Sequence, residues 1–228
     1  MSVSEYPLFG IILTVLVAYV SMKLRDKINK PWANYMLISI VLIIAILLIF
    51  DIPYQHYALG GDMILKMLGP ITVLLAVPLY QHHHTLKKYF LPVFIGVFSG
   101  SLASIVSVIV LAYFFDLNAL VTQSLLVKSV TTPIAISTSK MIGGVIGLSV
   151  FSVVITGVFG AIIATFWFQL LGLRNPIAKG IALGVSAHAI GTARAFELGK
   201  IVGAMSALSI VLAGVSTIFW LWIGLQIL

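Results

Sequence analysis

Lys128, His188 and Arg194 are basic side chains set in a 228-residue chain in which only 8% of residues are charged, and each lies within a turn or two of a helix-breaking signal. The first signal is Thr131-Thr132-Pro133, near the middle of segment 117–143. The second is Gly191-Thr192, inside segment 176–203. Proline lacks an amide donor and suits the first turn of a new helix, with Thr132 as the expected N-cap. Helix N-termini at Thr132 and Thr192 would offer unpaired N–H groups and partial positive charge. If both breaks lie at one depth in a bilayer, these features together describe a site for a small anion. A charge at the membrane centre costs about 2.5–3.5 kcal/mol on insertion scales, so it faces a polar cavity or a partner. Thr131, Thr132, Ser186 and Thr192 add hydroxyls able to hold a hydroxyl or keto group beside a carboxylate.

Each residue also has a structural reading. Arg194 and Glu197 are three apart on a helix and can form a plain ion pair. Glu197, the only carboxylate after Asp116, is otherwise a proton carrier or a brace for Arg194. His188 is either a hydrogen-bonded interior histidine or a proton-coupling group. Lys128 reaches the site, or snorkels to the surface if its hairpin is shallow. Lys140 and Lys200 lie far from both breaks and read as interfacial.

The elements that must position these groups follow from composition. With 61% hydrophobic residues and a mean hydropathy of +1.18, the outer surface faces lipid. Apolar runs at 8–22, 32–50, 63–80, 91–115, 144–171 and 204–228 are each near or above the ~20 residues that cross ~30 Å of hydrocarbon. The expected fold is therefore an all-α polytopic membrane protein with about six full transmembrane helices. The N-terminus lacks the basic region of a cleaved signal peptide, so the first run is expected to stay as a helix.

Lys and Arg mark cytoplasmic loops. Lys23–Lys30, His82–Lys88, Arg174 and Lys179 then lie inside, while Asp51–Asp62 and Asp116 lie outside, as do both termini. Segment 117–143 must enter and leave by the outer face, and segment 176–203 starts from the inner one. Arms of ~10–13 residues reach about half the bilayer. Two broken or re-entrant helical hairpins in an inverted repeat result, a design associated with transporters. The rival reading lets both broken segments cross fully, placing Arg174 and Lys179 outside. Residues 1–90 are then N-terminal transmembrane helices for scaffolding or oligomerisation, and residues 91–228 a transport-like core with broken helices at 117–143 and 176–203.

Other functions find less support. The net charge of +7 sits in short loops beside apolar helices, so nucleic-acid binding is not expected. No serine–histidine–acid set, phosphate loop or catalytic carboxylate pair can be picked out, so no enzyme, and no cofactor, is expected. The tract Gln81–His84 resembles a metal site, but adjacent histidines do not share a helix face and no cysteine or carboxylate accompanies them. With no cysteine in the chain, thiol chemistry is absent.

Four stretches carry a family resemblance: LGPITVLLAVPLY (68–80), KSVTTPIAI (128–136), IGGVIGLSVFSVVITGVFGA (142–161) and GIALGVSAHAIGTARAFELG (180–199). Together the chain resembles the LrgB/CidB family of antiholin-like membrane proteins. Ala187 stands where that family typically has Ser before the His. The resemblance implies a multi-pass protein of the bacterial cytoplasmic (inner) membrane, in one of two roles. One is modulation of an LrgA/CidA-type holin-like partner, and so of murein hydrolase activity and cell lysis. The other is transport of small monocarboxylates such as pyruvate, glycolate or glycerate, which agrees with the anion site read from spacing. A homo-oligomer, specifically a dimer, is expected.

Overall fold

Proline, asparagine and glycine punctuate this apolar chain and set where its helices start and stop. The computed structural model describes residues 6–28, 35–67, 70, 73, 77, 80 and 83–227. Half of the expected third apolar run, much of the 68–80 motif, Lys30, Trp32, Gln81 and His82 lie outside the described residues. The described elements are helical, and four of the helices are long and apolar enough to cross a membrane: Pro7–Ile28, Phe90–Phe114, Ile146–Leu170 and Lys200–Gly224. Tyr35–Ile49 is a shorter apolar helix.

The chain divides into two compact units, Met1–Val73 and Leu74–Leu228. In the first, α1 (Pro7–Ile28) packs on α2 (Tyr35–Ile49) and α3 (Tyr54–Lys66). Gly10 and Gly60 let α1 and α3 cross with their backbones in contact: a Cβ on Gly10 would strike the Tyr57 carbonyl, and one on Gly60 the Pro7 carbonyl. Thr14 donates to the Gly10 carbonyl (2.7 Å) and accepts from the Tyr57 hydroxyl (3.0 Å), pinning that crossing. Small residues give such close approach in lipid, where packing rather than water drives helix association. No residue of α2 is buried, as suits a helix apolar on every face in a bilayer.

The second unit runs α4 (His83–Lys88), α5 (Phe90–Phe114), α6 (Ala119–Leu126), α7 (Thr132–Ile142), α8 (Ile146–Leu170), α9 (Pro176–Leu198) and α10 (Lys200–Ile227). Asp116 in a left-handed conformation ends α5, and the Asn118 side chain caps α6 by accepting from the Val121 amide (2.9 Å). The chain then breaks over 127–131. Thr131, not Thr132, is the N-cap residue of α7, with Pro133 in the first turn. Gly143, at φ 81°, stops α7 and returns the chain: Gly144 lies against Ser124 and Ser139, and the Val145 amide donates to the Ser124 hydroxyl (2.8 Å). The end of α7 thus comes back to the middle of α6.

Asn175 caps α9 through the amides of Ile177 and Ala178, with Pro176 in the first turn. Its break falls at His188 (φ 41°, ψ −130°) rather than at Gly191-Thr192. Two arms result, and neighbours on α10 show that they double back. Gly180 lies against Val202 and Met205, while Phe196 lies against Gly203; Gly184 and Thr192 both meet Ser206. In a straight helix, residues 180 and 196 would stand ~24 Å apart. Gly191 is needed for a different reason from the one expected: a Cβ there would sit 2.8 Å from the Leu183 carbonyl oxygen and 2.6 Å from the Ala187 Cβ. Two apolar clusters fix the arms, one of Val93, Val97, Ile181, Val185, Met205 and Leu208, the other of Ala164, Leu183, Ala187, Ala195 and Val202.

Candidate anion site between the crossing helices

A cavity of about 700 Å³ lies between α5, α8, the first arm of α9 and the break before α7. Its size falls within the range of small-molecule sites, roughly 300–1,000 Å³. Gly96 and Gly100 bring α5 against Ile181 and Val185 of α9, so these two walls meet closely. The α8 wall runs from Ile155 to Leu171, about 24 Å at 1.5 Å per residue.

The one cation on this lining is Lys128. It is half-buried, held beside α5 because Val127 and Val130, on either side of it in sequence, pack with Ile105 and Val153. Its ammonium donates to the hydroxyls of Ser104 (3.1 Å) and Ser129 (3.3 Å), and Ser104 in turn donates to Ser129 (2.8 Å). An ammonium carries three donors, so one remains to be used. No carboxylate pairs with Lys128 among the described residues. A buried cation without a counter-charge is costly, and a bound anion would relieve that cost.

The other expected site residues separate into two groups. Ser186 lies on the cavity wall, its hydroxyl donating to the Ala182 carbonyl (2.7 Å). Thr131, Thr132, His188, Thr192 and Arg194 are not on that lining. His188 is buried at the tip of the doubled-back segment, and its Nε2–H donates to the Val153 carbonyl (3.0 Å). Thr192 donates to the His188 carbonyl (3.0 Å) and accepts from Ser206 (2.7 Å). The Thr131 hydroxyl is buried without a hydrogen-bond partner, and Thr132 is half-buried.

Arg194 is drawn away from Lys128. One guanidinium nitrogen bonds the Glu197 carboxylate (2.6 Å) and another the Thr165 hydroxyl (3.0 Å) on α8. It ties the second arm of α9 to α8. With the break at His188, Arg194 stands about 9 Å further along its arm, and of the three basic groups expected at one depth only Lys128 lines the cavity. Lys140 and Lys200 are exposed.

Sequence reasoning passed over Ser104, Ser107, Ser129 and Thr156, which share the lining with Lys128. A signal was present: Ser101, Ser104 and Ser107 recur every third residue through an otherwise apolar stretch of α5. That spacing draws a narrow polar stripe down one helix face.

Fold and site define a multi-pass helical membrane protein with a hydroxyl-lined, cation-bearing cavity between its crossing helices. The chain belongs to the LrgB-like family, which matches residues 14–227. Among its relatives, the uncharacterized protein YwbG of Bacillus subtilis (strain 168) is 35% identical over 209 residues, 92% of this chain and 93% of that one. The holin-like protein CidB of Staphylococcus epidermidis is 35% identical over 205 residues, 90% of each chain. The antiholin-like protein LrgB of Bacillus subtilis is 33% identical over 224 residues, 97% of this chain and 96% of that one. No solved structure matches the chain significantly.

Proposed function

We propose that this protein is a carrier of small organic anions in the bacterial cytoplasmic membrane, binding a monocarboxylate at Lys128. The observation that carries this reading is the half-buried Lys128 ammonium, which faces two hydroxyls and no carboxylate inside a cavity. A single cation suits a single negative charge, and Ser104, Ser129 and Ser186 supply hydroxyl partners. No catalytic step is part of the proposal.

In this reading the segments at 117–143 and 176–203 are re-entrant hairpins related by inversion. Its support is that α6 and α7 leave and rejoin the unit at the Phe114 end of α5, whereas the arms of α9 leave and rejoin at the Leu170 end of α8. Arg174, Lys179 and Lys200 share the latter end, which suits the cytoplasmic side. Six spans follow if residues 35–49 and the half-described run at 63–80 also cross.

A second reading is favoured by the relatives' names, and more directly than the first: an antiholin-like regulator of murein hydrolase activity and cell lysis, acting with an LrgA/CidA-type holin-like partner. The two are separated by reconstituting the purified protein alone in liposomes and measuring uptake of labelled pyruvate and glycolate. The carrier reading expects saturable uptake that Lys128→Gln abolishes. Absence of uptake, together with altered lysis in cells only when a holin-like partner is co-expressed, would establish the second reading instead.

A further inference from the structure

Three polar groups on the cavity lining form a closed ring. Lys128 donates to the hydroxyls of Ser104 (3.1 Å) and Ser129 (3.3 Å), and Ser104 donates to Ser129 (2.8 Å). The ring does not use all of its protons. The ammonium has three and spends two, and two hydroxyls that share one bond spend one proton between them. One ammonium proton and one hydroxyl proton therefore remain. Since Ser104 is the donor within the ring, the remaining hydroxyl proton belongs to Ser129, whose oxygen already accepts twice. Ser129 is buried, yet among the described residues that proton has no acceptor. Other serines on the lining are differently placed. Ser107 spends its proton on the Ser104 carbonyl (2.7 Å), and Ser186 on the Ala182 carbonyl (2.7 Å).

We infer that the Ser129 hydroxyl is the second donor to the bound carboxylate, one oxygen taken by Lys128 and the other by Ser129, and that Ser104 positions both donors without touching that group. This inference rests on the carboxylate-binding reading and deepens it, because it divides hydroxyls that otherwise look alike into one that binds and one that orients. Two neighbouring donors suit the two oxygens of a carboxylate and fix its orientation as well as its affinity. Both come from consecutive residues of the break before α7, and Val127 and Val130 on either side of them are buried. The pair is thus carried by one packed stretch of chain. Ser104 reaches it from α5, and by committing its own proton to Ser129 it leaves the Ser129 proton to turn out of the ring.

The test is calorimetry of pyruvate binding to the full chain in nanodiscs, against empty discs and normalised to folded protein. Ser129→Ala is expected to weaken binding about tenfold or more, as for the loss of a hydrogen bond to a charged group. Ser129→Thr keeps a hydroxyl and is expected to bind within about threefold of wild type. Ser104→Ala is expected to weaken binding only about two- to fivefold. The double variant separates orienting from contact: in a Ser129→Ala background, Ser104→Ala is expected to cost nothing further. A fully additive loss there would mean that Ser104 touches the carboxylate itself, and would overturn the division. Wild-type affinity in Ser129→Ala, with binding still lost in Lys128→Gln, would overturn the second donor and leave the carrier reading standing. If the wild-type protein binds no pyruvate above empty discs, both readings fall together.

Discussion

At the scale of single residues, the division of labour among the basic groups is set by their partners. Lys128 has hydroxyls around it, a donor to spare and no paired carboxylate among the described residues, whereas Arg194 is charge-paired with Glu197, bonded to Thr165 and off the cavity lining, with its Nε–H buried and unpartnered. Removing the Lys128 charge therefore removes a charge-assisted contact to the ligand, worth about 1.5–3 kcal/mol or roughly 10–150-fold in affinity. The expected result for Lys128→Gln is that loss in a binding titration with folded protein held constant, and for Ser104→Ala a smaller loss in the same direction. Arg194 should behave in the opposite way. Arg194→Gln leaves Glu197 without this partner and unties α9 from α8, so thermal unfolding is expected to come a few degrees lower. Ligand affinity per folded molecule should stay within twofold. A large affinity loss without a stability loss would return Arg194 to the binding site.

At the scale of elements, the broken segments were legible because proline, threonine and glycine mark interruptions in helical sequence. The position of the second break was not legible. Gly191 signals a place where a side chain will not fit, and the structure assigns that constraint to close approach by Leu183 and Ala187 rather than to backbone conformation. The unusual conformation belongs to His188, a residue type that gives no such warning. Spacing likewise placed Lys128 near a break correctly. For Arg194 two readings were open, and the structure shows the ion pair with Glu197; distance along a chain does not give the direction a side chain takes once the arm doubles back.

Conformations like that of His188 are strained for any residue with a Cβ, most of all for a β-branched one. Two effects then compete on substitution: His188→Gly relieves the strain but forfeits the bond to Val153, while His188→Val keeps the strain and forfeits the bond. The expected order of stability by thermal unfolding is wild type, then His188→Gly, then His188→Val. Val equalling Gly would mean that the backbone there is not held at its observed angle. Gly157 offers an independent check on the same tip. A Cβ there would sit 2.7 Å from the His188 ring and 2.8 Å from Ile190, so Gly157→Ala is expected to cost about 1–3 kcal/mol.

At the scale of the whole molecule, orientation in the bilayer follows from where the doubled-back segments leave their charges. If both arms of α9 return to one face, Arg174 and Lys200 lie on that face, and Asp116 on the other. Single cysteines can be placed at 88, 116 and 174 in this cysteine-free chain and probed on intact cells with a membrane-impermeant thiol reagent. Labelling is expected at 116 alone. Labelling at 174 would mean that the broken segments cross the membrane, and the inverted arrangement would be lost.

The seating of α9 on α10 also has a consequence in time. Gly180 and Gly184 in the first arm and Thr192 in the second find their neighbours among Val202, Met205, Ser206 and Ser209, all of which leave the ribosome later than the segment they support. At roughly 5–20 residues per second, the 28 residues of α10 take about 1–6 seconds to make. For that interval α9 has its caps and its contacts to α5 and α8 but no partner for its glycine face. Of the helices described, the one made after all the others is the one that closes the unit, and the nascent chain must be sheltered until it arrives.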